Sequence, residues 1–197
     1  MASGILREMG KKIMHIAILI AIVIFFIIKN KADQQAALIF LVALLVAFLA
    51  FEYIRLDLDI RLPFMHRFVR PKDERKIHGI IFFISSTIIT LAVFDTAIAL
   101  AALLMTTFGD MAAAIVGKKY GTAMLFRNKT VVGFSAELAT NLIAGILISL
   151  FFSVNIYILL IMAFAATTTE TLTDEIEDNL AIPIISGFIG QVLLLAS

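Results

Sequence analysis

The stretch FDTAIALAALLMTTFGDMAAAIVGKKYG, residues 94 to 121, decides how the chain is read. From Thr96 onward it is apolar for the length of a membrane helix, yet Asp110 stands inside it. A carboxylate at the centre of a bilayer-spanning helix costs about 2.5 to 3.5 kcal/mol, so an intramembrane acid is a functional hypothesis by default. Only Asp95 and Thr96 separate this run from the apolar run before it, so the number of helices depends on whether the chain breaks there.

The whole chain is consistent with a membrane setting. Of its 197 residues 61% are hydrophobic, with a mean hydropathy of +1.04, well beyond ordinary soluble domains. The absence of cysteine excludes disulfides and thiolate metal sites. A net charge of +1 argues against a nucleic-acid partner. Arg7, Lys11 and Lys12 precede an apolar run in the manner of a signal peptide, but no small-residue cleavage site follows, so the segment reads as a retained first helix. With no soluble domain and no internal repeat, residues 1–197 read as one transmembrane domain.

Apolar runs near the length needed to cross a bilayer predict an all-α polytopic protein of about seven transmembrane helices. They fall at 13–28, 36–54, 79–94, 96–117, 136–153, 155–169 and 181–196. With the N-terminus inside, one face collects 14 of the chain's 16 basic residues, leaving only Lys29 and Lys31 opposite. Positive loops stay cytoplasmic, which predicts a cytoplasmic N-terminus. Most acids gather on the same face, among them Asp110 and the run from Glu170 to Asp178, so chemistry is expected there.

Three stretches could carry it. Gly109, Ala113, Gly117 and Gly121 recur every fourth residue, beside Asp110 and followed by Lys118 and Lys119. Small residues at this spacing serve helix packing, but beside a carboxylate they also leave room for a phosphate chain and its metal. The lysines fit an ordinary positive-inside flank equally well. The loop Arg127-Asn128-Lys129-Thr130-Val131-Val132-Gly133 offers cationic charge and close backbone approach to phosphate, without the spacing of a P-loop. Glu170 and Asp178-Asn179 bracket five acids within nine residues. These form either a solvated acidic loop or hard oxygen ligands suited to Mg²⁺, which takes one or two carboxylates together with substrate phosphates. His15, one turn inside the first helix, reads as an interfacial, hydrogen-bonded histidine. Residues 54–62 read as a strand-like edge or an interfacial helix stopped by Pro63.

Taken together, these motifs resemble the CTP-dependent lipid-alcohol kinases: dolichol and polyprenol kinase, phytol and farnesol kinase, and CTP-dependent diacylglycerol kinase. Gly109-Asp110-x-x-Ala113-x-x-x-Gly117-Lys118-Lys119-Tyr120-Gly121 looks like the family's Gly-Asp-Ala-Ala segment. Lys129-Thr130-x-x-Gly133 looks like its Lys-Ser/Thr-x-x-Gly loop, and Glu170-Thr171-Leu172 with Asp178-Asn179-Leu180-x-Ile182-Pro183 like its acidic signature. Lys12-x-x-His15 and Glu52-x-x-Arg55 resemble edges near the start of such proteins. Two positions depart. Val132 replaces a glutamate found before the loop glycine in some members, so that role is absent or falls to Glu137, and Glu177-Asp178-Asn179 stands for Asp-Asp-Asn.

The resemblance implies CTP as phosphate donor and a divalent metal. The expected function is transfer of the CTP γ-phosphoryl group to a polyprenol- or dolichol-type alcohol dissolved in the membrane. Asp110 and Asp178 would hold Mg²⁺-CTP, with Glu170 as a third ligand or behind them. Lys118, Lys119, Arg127 and Lys129 would hold phosphates beside Gly117, Gly121, Thr130 and Gly133, and Asn179 would orient a ligand or nucleotide oxygen. The location implied is the cell membrane, or the endoplasmic reticulum in a eukaryote. Diacylglycerol as acceptor, a lipid-phosphate cytidylyltransferase, and a small ion-coupled transporter using Asp95 and Asp110 are the competing readings.

Overall fold

Asp95 ends one helix and starts the next. Its carboxylate accepts the Ala97 N–H at 2.9 Å and caps the following helix, so the long apolar region is two helices, as the two polar residues predict. The computed structural model describes residues 2–57, 79–126, 129–173 and 178–197. In chain order the elements are α1 (Ala2–Lys31), α2 (Gln34–Asp57), α3 (Gly79–Val93), α4 (Thr96–Tyr120), β1 (Met124–Phe126), β2 (Lys129–Thr130), α5 (Val131–Phe152), α6 (Ile156–Leu172) and α7 (Asp178–Ala196).

Each apolar run is a helix, with boundaries shifted for identifiable reasons. α5 begins at Val131, five residues before its expected start, because Thr130 accepts the Gly133 N–H at 3.1 Å and caps it. α7 begins at Asp178 rather than 181, with the acid in its first turn, where the helix dipole favours negative charge. The all-α reading fits the structure, which adds one small element. Met124–Phe126 and Lys129–Thr130 pair as a short antiparallel hairpin with a register shift, and the Val131 N–H donates to the Ala123 carbonyl at 3.0 Å.

Among the described residues four helices are long and apolar enough to cross a membrane: α2 over Gln34–Ile54, α4, α5 and α7. α3 and α6 are apolar but shorter, at 15 and 17 residues. The exposed faces are those of a lipid-facing protein. Ile143, Leu147, Leu150 and Phe151 on α5 and Ile185, Phe188, Val192 and Leu195 on α7 point outward, while polar side chains lie inside. Water would penalise this arrangement and hydrocarbon does not.

The chain divides into two compact units at residues 88 and 89. In the first, α1 and α2 pack as a hairpin, with Asp33 accepting the Ala36 N–H at 2.7 Å at the start of α2. His15 lies buried there with its ring edge-on to Phe83, centroids 5.7 Å apart. Glu52 is buried as well. Residues 58–78, which include Pro63 and most of the basic loop, lie outside the described residues.

The second unit is a bundle of α4 to α7 with a core of Ile98, Met105, Leu159, Met162, Ala163 and Ala166. α5 and α6 join through a tight turn in which Ser153 adopts the left-handed conformation and Asn155 caps α6 by accepting the Tyr157 N–H at 3.0 Å. Because the helices alternate in direction, the C-termini of α4 and α6 and the N-termini of α5 and α7 share one end of the bundle, the end that carries the hairpin.

Candidate active site

At that end a polar cluster is built from three segments. β2 supplies Lys129, the last turn of α6 supplies Glu170, and the first residue of α7 supplies Asp178. The Lys129 ammonium donates to Glu170 Oε1 at 2.5 Å and lies 3.8 Å from Asp178 Oδ2. Glu170 is 1% exposed, while the Lys129 side chain, at 26%, retains a path to water. Two stretches 41 residues apart, read from sequence as a phosphate loop and an acidic signature, are thereby one ion-paired site.

Asp178 is also held by the Thr173 hydroxyl, which donates to its Oδ1. The threonine run before it is self-satisfied. Thr167, Thr169 and Thr171 each donate to the carbonyl four residues back, so an apolar helix carries these hydroxyls without orphan donors.

Two further carboxyl groups join the field. Asp110 on α4 is half-buried and acts electrostatically on Lys129 and Asp178. Glu137, two turns into α5, is 2% exposed and lies beside Glu170. One ammonium is therefore set against four carboxyl groups. Burial pushes the Lys129 ammonium down, but Glu170, by charge and hydrogen bond, with Asp178 and Asp110 behind it, outweighs that and holds it above the usual lysine range.

The glycines of the sequence motifs sit at helix contacts. Gly117 faces Thr130 and Gly133, and Gly133 in turn faces the Ala113 carbonyl and Gly117. A Cβ on Gly121 would strike the Gly117 carbonyl and Thr130. Packing thus accounts for all three, and what packing achieves is to hold the Lys129-Thr130 corner against the end of α4. Lys118 and Lys119 are exposed in the last turn of α4, Lys119 lying 5.0 Å over the Tyr120 ring. Asn179 is buried beside Asp178 in the first turn of α7. Arg127, Asp174, Glu175 and Glu177 lie outside the described residues.

Asn141 and Thr167 were not singled out by sequence. Asn141, one turn beyond Glu137, is fully buried and donates to Thr167 Oγ1 at 3.0 Å. Its Oδ1 accepts no hydrogen bond and lies where a Cβ on Gly109 would come within 2.5 Å. The available signal was a period of four, Gly133, Glu137, Asn141, Gly145, which places two polar side chains on the face of α5 that its glycines mark as a packing face.

The donor set is all hard oxygen, which suits Mg²⁺, and Glu170 Oε2 is buried with no hydrogen-bond donor. Among the described residues no three His, Asp or Glu side chains are gathered closely enough to hold a metal by themselves, so a metal here would draw further ligands from phosphate and water. Asp95 is spent as the α4 cap, and its N–H donates to Gln191 at 2.7 Å. It lies about 22 Å from Asp110 along a helix rising 1.5 Å per residue, too far to share a site.

No family model matches the chain, and no solved structure matches it. Among curated proteins it is similar to a "Probable phytol kinase, chloroplastic" of Triticum aestivum, 29% identical over 138 residues that cover 62% of this chain. The chain spans about half the length of that relative, 46%.

Proposed function

We propose that the protein is a CTP-dependent kinase of isoprenoid alcohols, polyprenol- or dolichol-type, acting at the cytoplasmic face of a cell membrane or endoplasmic reticulum. The observation that carries this reading is the Lys129–Glu170–Asp178 constellation at one end of an apolar bundle, supported by the likeness to a phytol kinase. Phosphoryl transfer asks a protein mainly to position donor and acceptor and to neutralise charge spreading over the phosphoryl oxygens. A site of one partly exposed ammonium and several buried carboxyl groups able to hold a divalent ion would supply those functions.

In this reading Asp110 and Asp178 would hold Mg²⁺ with CTP, with Glu170 as a third ligand or behind them, and the metal when bound would supply neutralisation of phosphate charge. Lys129, with Lys118 and Lys119 from the last turn of α4, holds phosphate oxygens, a role also given to Arg127, and Asn179 orients a ligand. The alcohol oxygen bonds to the γ-phosphorus as the bond to the β–γ bridging oxygen breaks. CDP leaves, and the alcohol proton passes to a carboxylate, Asp178 being the candidate acceptor in place of its metal-holding role. The isoprenoid chain stays in the bilayer, entering between helices.

The test is purified protein in nanodiscs with Mg²⁺, CTP labelled at the α or γ phosphate, and a panel of phytol, farnesol, polyprenol, dolichol and diacylglycerol. The γ label in an isoprenoid phosphate is expected. The γ label in diacylglycerol alone would move the acceptor to a glycerolipid. With lipid phosphates added, the α label in lipid would make the protein a cytidylyltransferase, and no transfer from folded protein would overturn the enzyme reading.

A further inference from the structure

The place of Lys129 carries a consequence for how the site is loaded. Its ammonium is where two carboxylates from separate helices converge, 2.5 Å from Glu170 Oε1 and 3.8 Å from Asp178 Oδ2. That is the point at which a cation shared by α6 and α7 would stand. The second Glu170 oxygen is buried with the Glu137 carboxyl beside it, so one ammonium is shared among a cluster of carboxyl groups.

Building on the metal reading above, we infer that Lys129 is an internal counter-cation. It holds the place of a divalent ion between Glu170 and Asp178 in the resting protein, and the ion's arrival releases it toward the nucleotide phosphates. A lysine suits this exchange better than an arginine. It is a compact charge on a flexible stem, and its attachment to a short hairpin strand leaves the ammonium free to swing while Thr130 stays fixed as the α5 cap. The resting carboxylates are spared the cost of buried, unpaired charge. Metal alone must compete with the tethered ammonium, whereas metal with nucleotide offers that ammonium a new partner. Binding of the two should therefore be mutually reinforcing.

The experiment uses full-length protein in nanodiscs without nucleotide and Mn²⁺ as the probe. Electron paramagnetic resonance reads bound Mn²⁺, and mass spectrometry reads acylation of Lys129 by a water-soluble amine reagent. Lys129→Met is expected to bind Mn²⁺ about tenfold or more tightly than the unmodified chain, because a competitor occupying the competent state reduces apparent affinity by that occupancy. In the unmodified chain, where folding of a variant is not in question, Mn²⁺ is expected to increase Lys129 acylation, and Mn²⁺ with a non-hydrolysable CTP analogue to reduce it again. Equal or weaker Mn²⁺ binding by a folded Lys129→Met, or acylation indifferent to Mn²⁺, would overturn the inference. The kinase reading is judged separately: γ transfer without metal–lysine exchange overturns the inference alone, and exchange without γ transfer overturns the kinase alone.

Discussion

Gly117 on α4 and Gly133 on α5 meet backbone to backbone. A Cβ built on either would lie 3.4 Å from the other's Cα and 3.0 to 3.1 Å from Thr130 Oγ1. The contact seats the capping threonine, and with it Lys129, against α4. Gly133→Val is therefore expected to destabilise the bundle by about 1 to 3 kcal/mol through overpacking, read as a lower melting temperature in detergent. Because the hairpin moves with it, turnover should fall more than the lost stability explains.

Gly109 is expected to be as intolerant for a different reason. Its Cβ would sit 2.5 Å from Asn141 Oδ1, so Gly109→Ala should cost about 1 to 3 kcal/mol in overpacking. Adding Asn141→Ala removes the obstacle, and the double variant should recover part of the loss. A double-mutant cycle on thermal stability checks the coupling.

Asp110→Asn keeps the volume and removes the charge. It is expected to abolish lipid phosphorylation while leaving insertion and melting behaviour near those of the parent chain. Labelled-CTP transfer and size-exclusion profiles measure the two, and retained turnover would take Asp110 out of the site.

Glu170→Ala strands the Lys129 ammonium. Breaking a buried pair typically costs about 3 to 5 kcal/mol, but Lys129 keeps a path to water and Asp178 within 3.8 Å, so a loss of up to about 3 kcal/mol is expected. Lys129→Met combined with Glu170→Leu removes both charges and should be less destabilised than Glu170→Ala. Chemical denaturation of the three proteins decides it.

The pH dependence follows from the raised Lys129 value. An ammonium that gains partners on folding contributes fully at pH values below the ordinary lysine value of 10.5 and loses that contribution as pH rises through its higher folded value. The melting-temperature advantage of the parent chain over Lys129→Met should show no lysine titration between about pH 7 and 9, and should shrink only in strong alkali.

The helices were legible because apolar length is a strong signal, and the α3–α4 break because Asp95 is a good cap. The hairpin was not: five residues on two strands carry no periodicity, and Met124, Leu125 and Phe126 read as the tail of a loop. Asp110, Lys129, Glu170 and Asp178 were recognisable as charges that an apolar chain should not carry without a use. Which of them touch was not, because the pairing of Lys129 with Glu170 rests on how α5 and α6 pack, and residues 41 apart have no spacing rule. The glycines were open to two readings, and their contacts are with helices.

α6 is 17 residues long, about 25 Å at 1.5 Å per residue, against a hydrocarbon core of about 30 Å. It packs between α5 and α7, of 22 and 19 residues, so the apolar belt of the bundle has a notch on that side. Glu170 stands in the last turn of the short helix, and with α6 read as a bilayer-crossing helix the bilayer has to thin there to meet it. Mismatch costs fractions of a kcal/mol per ångström, so under the proposed function acyl-chain length would become a control on activity. Thin bilayers should favour the hydroxyl of a dissolved alcohol reaching the carboxylates, and thick ones should hold it away.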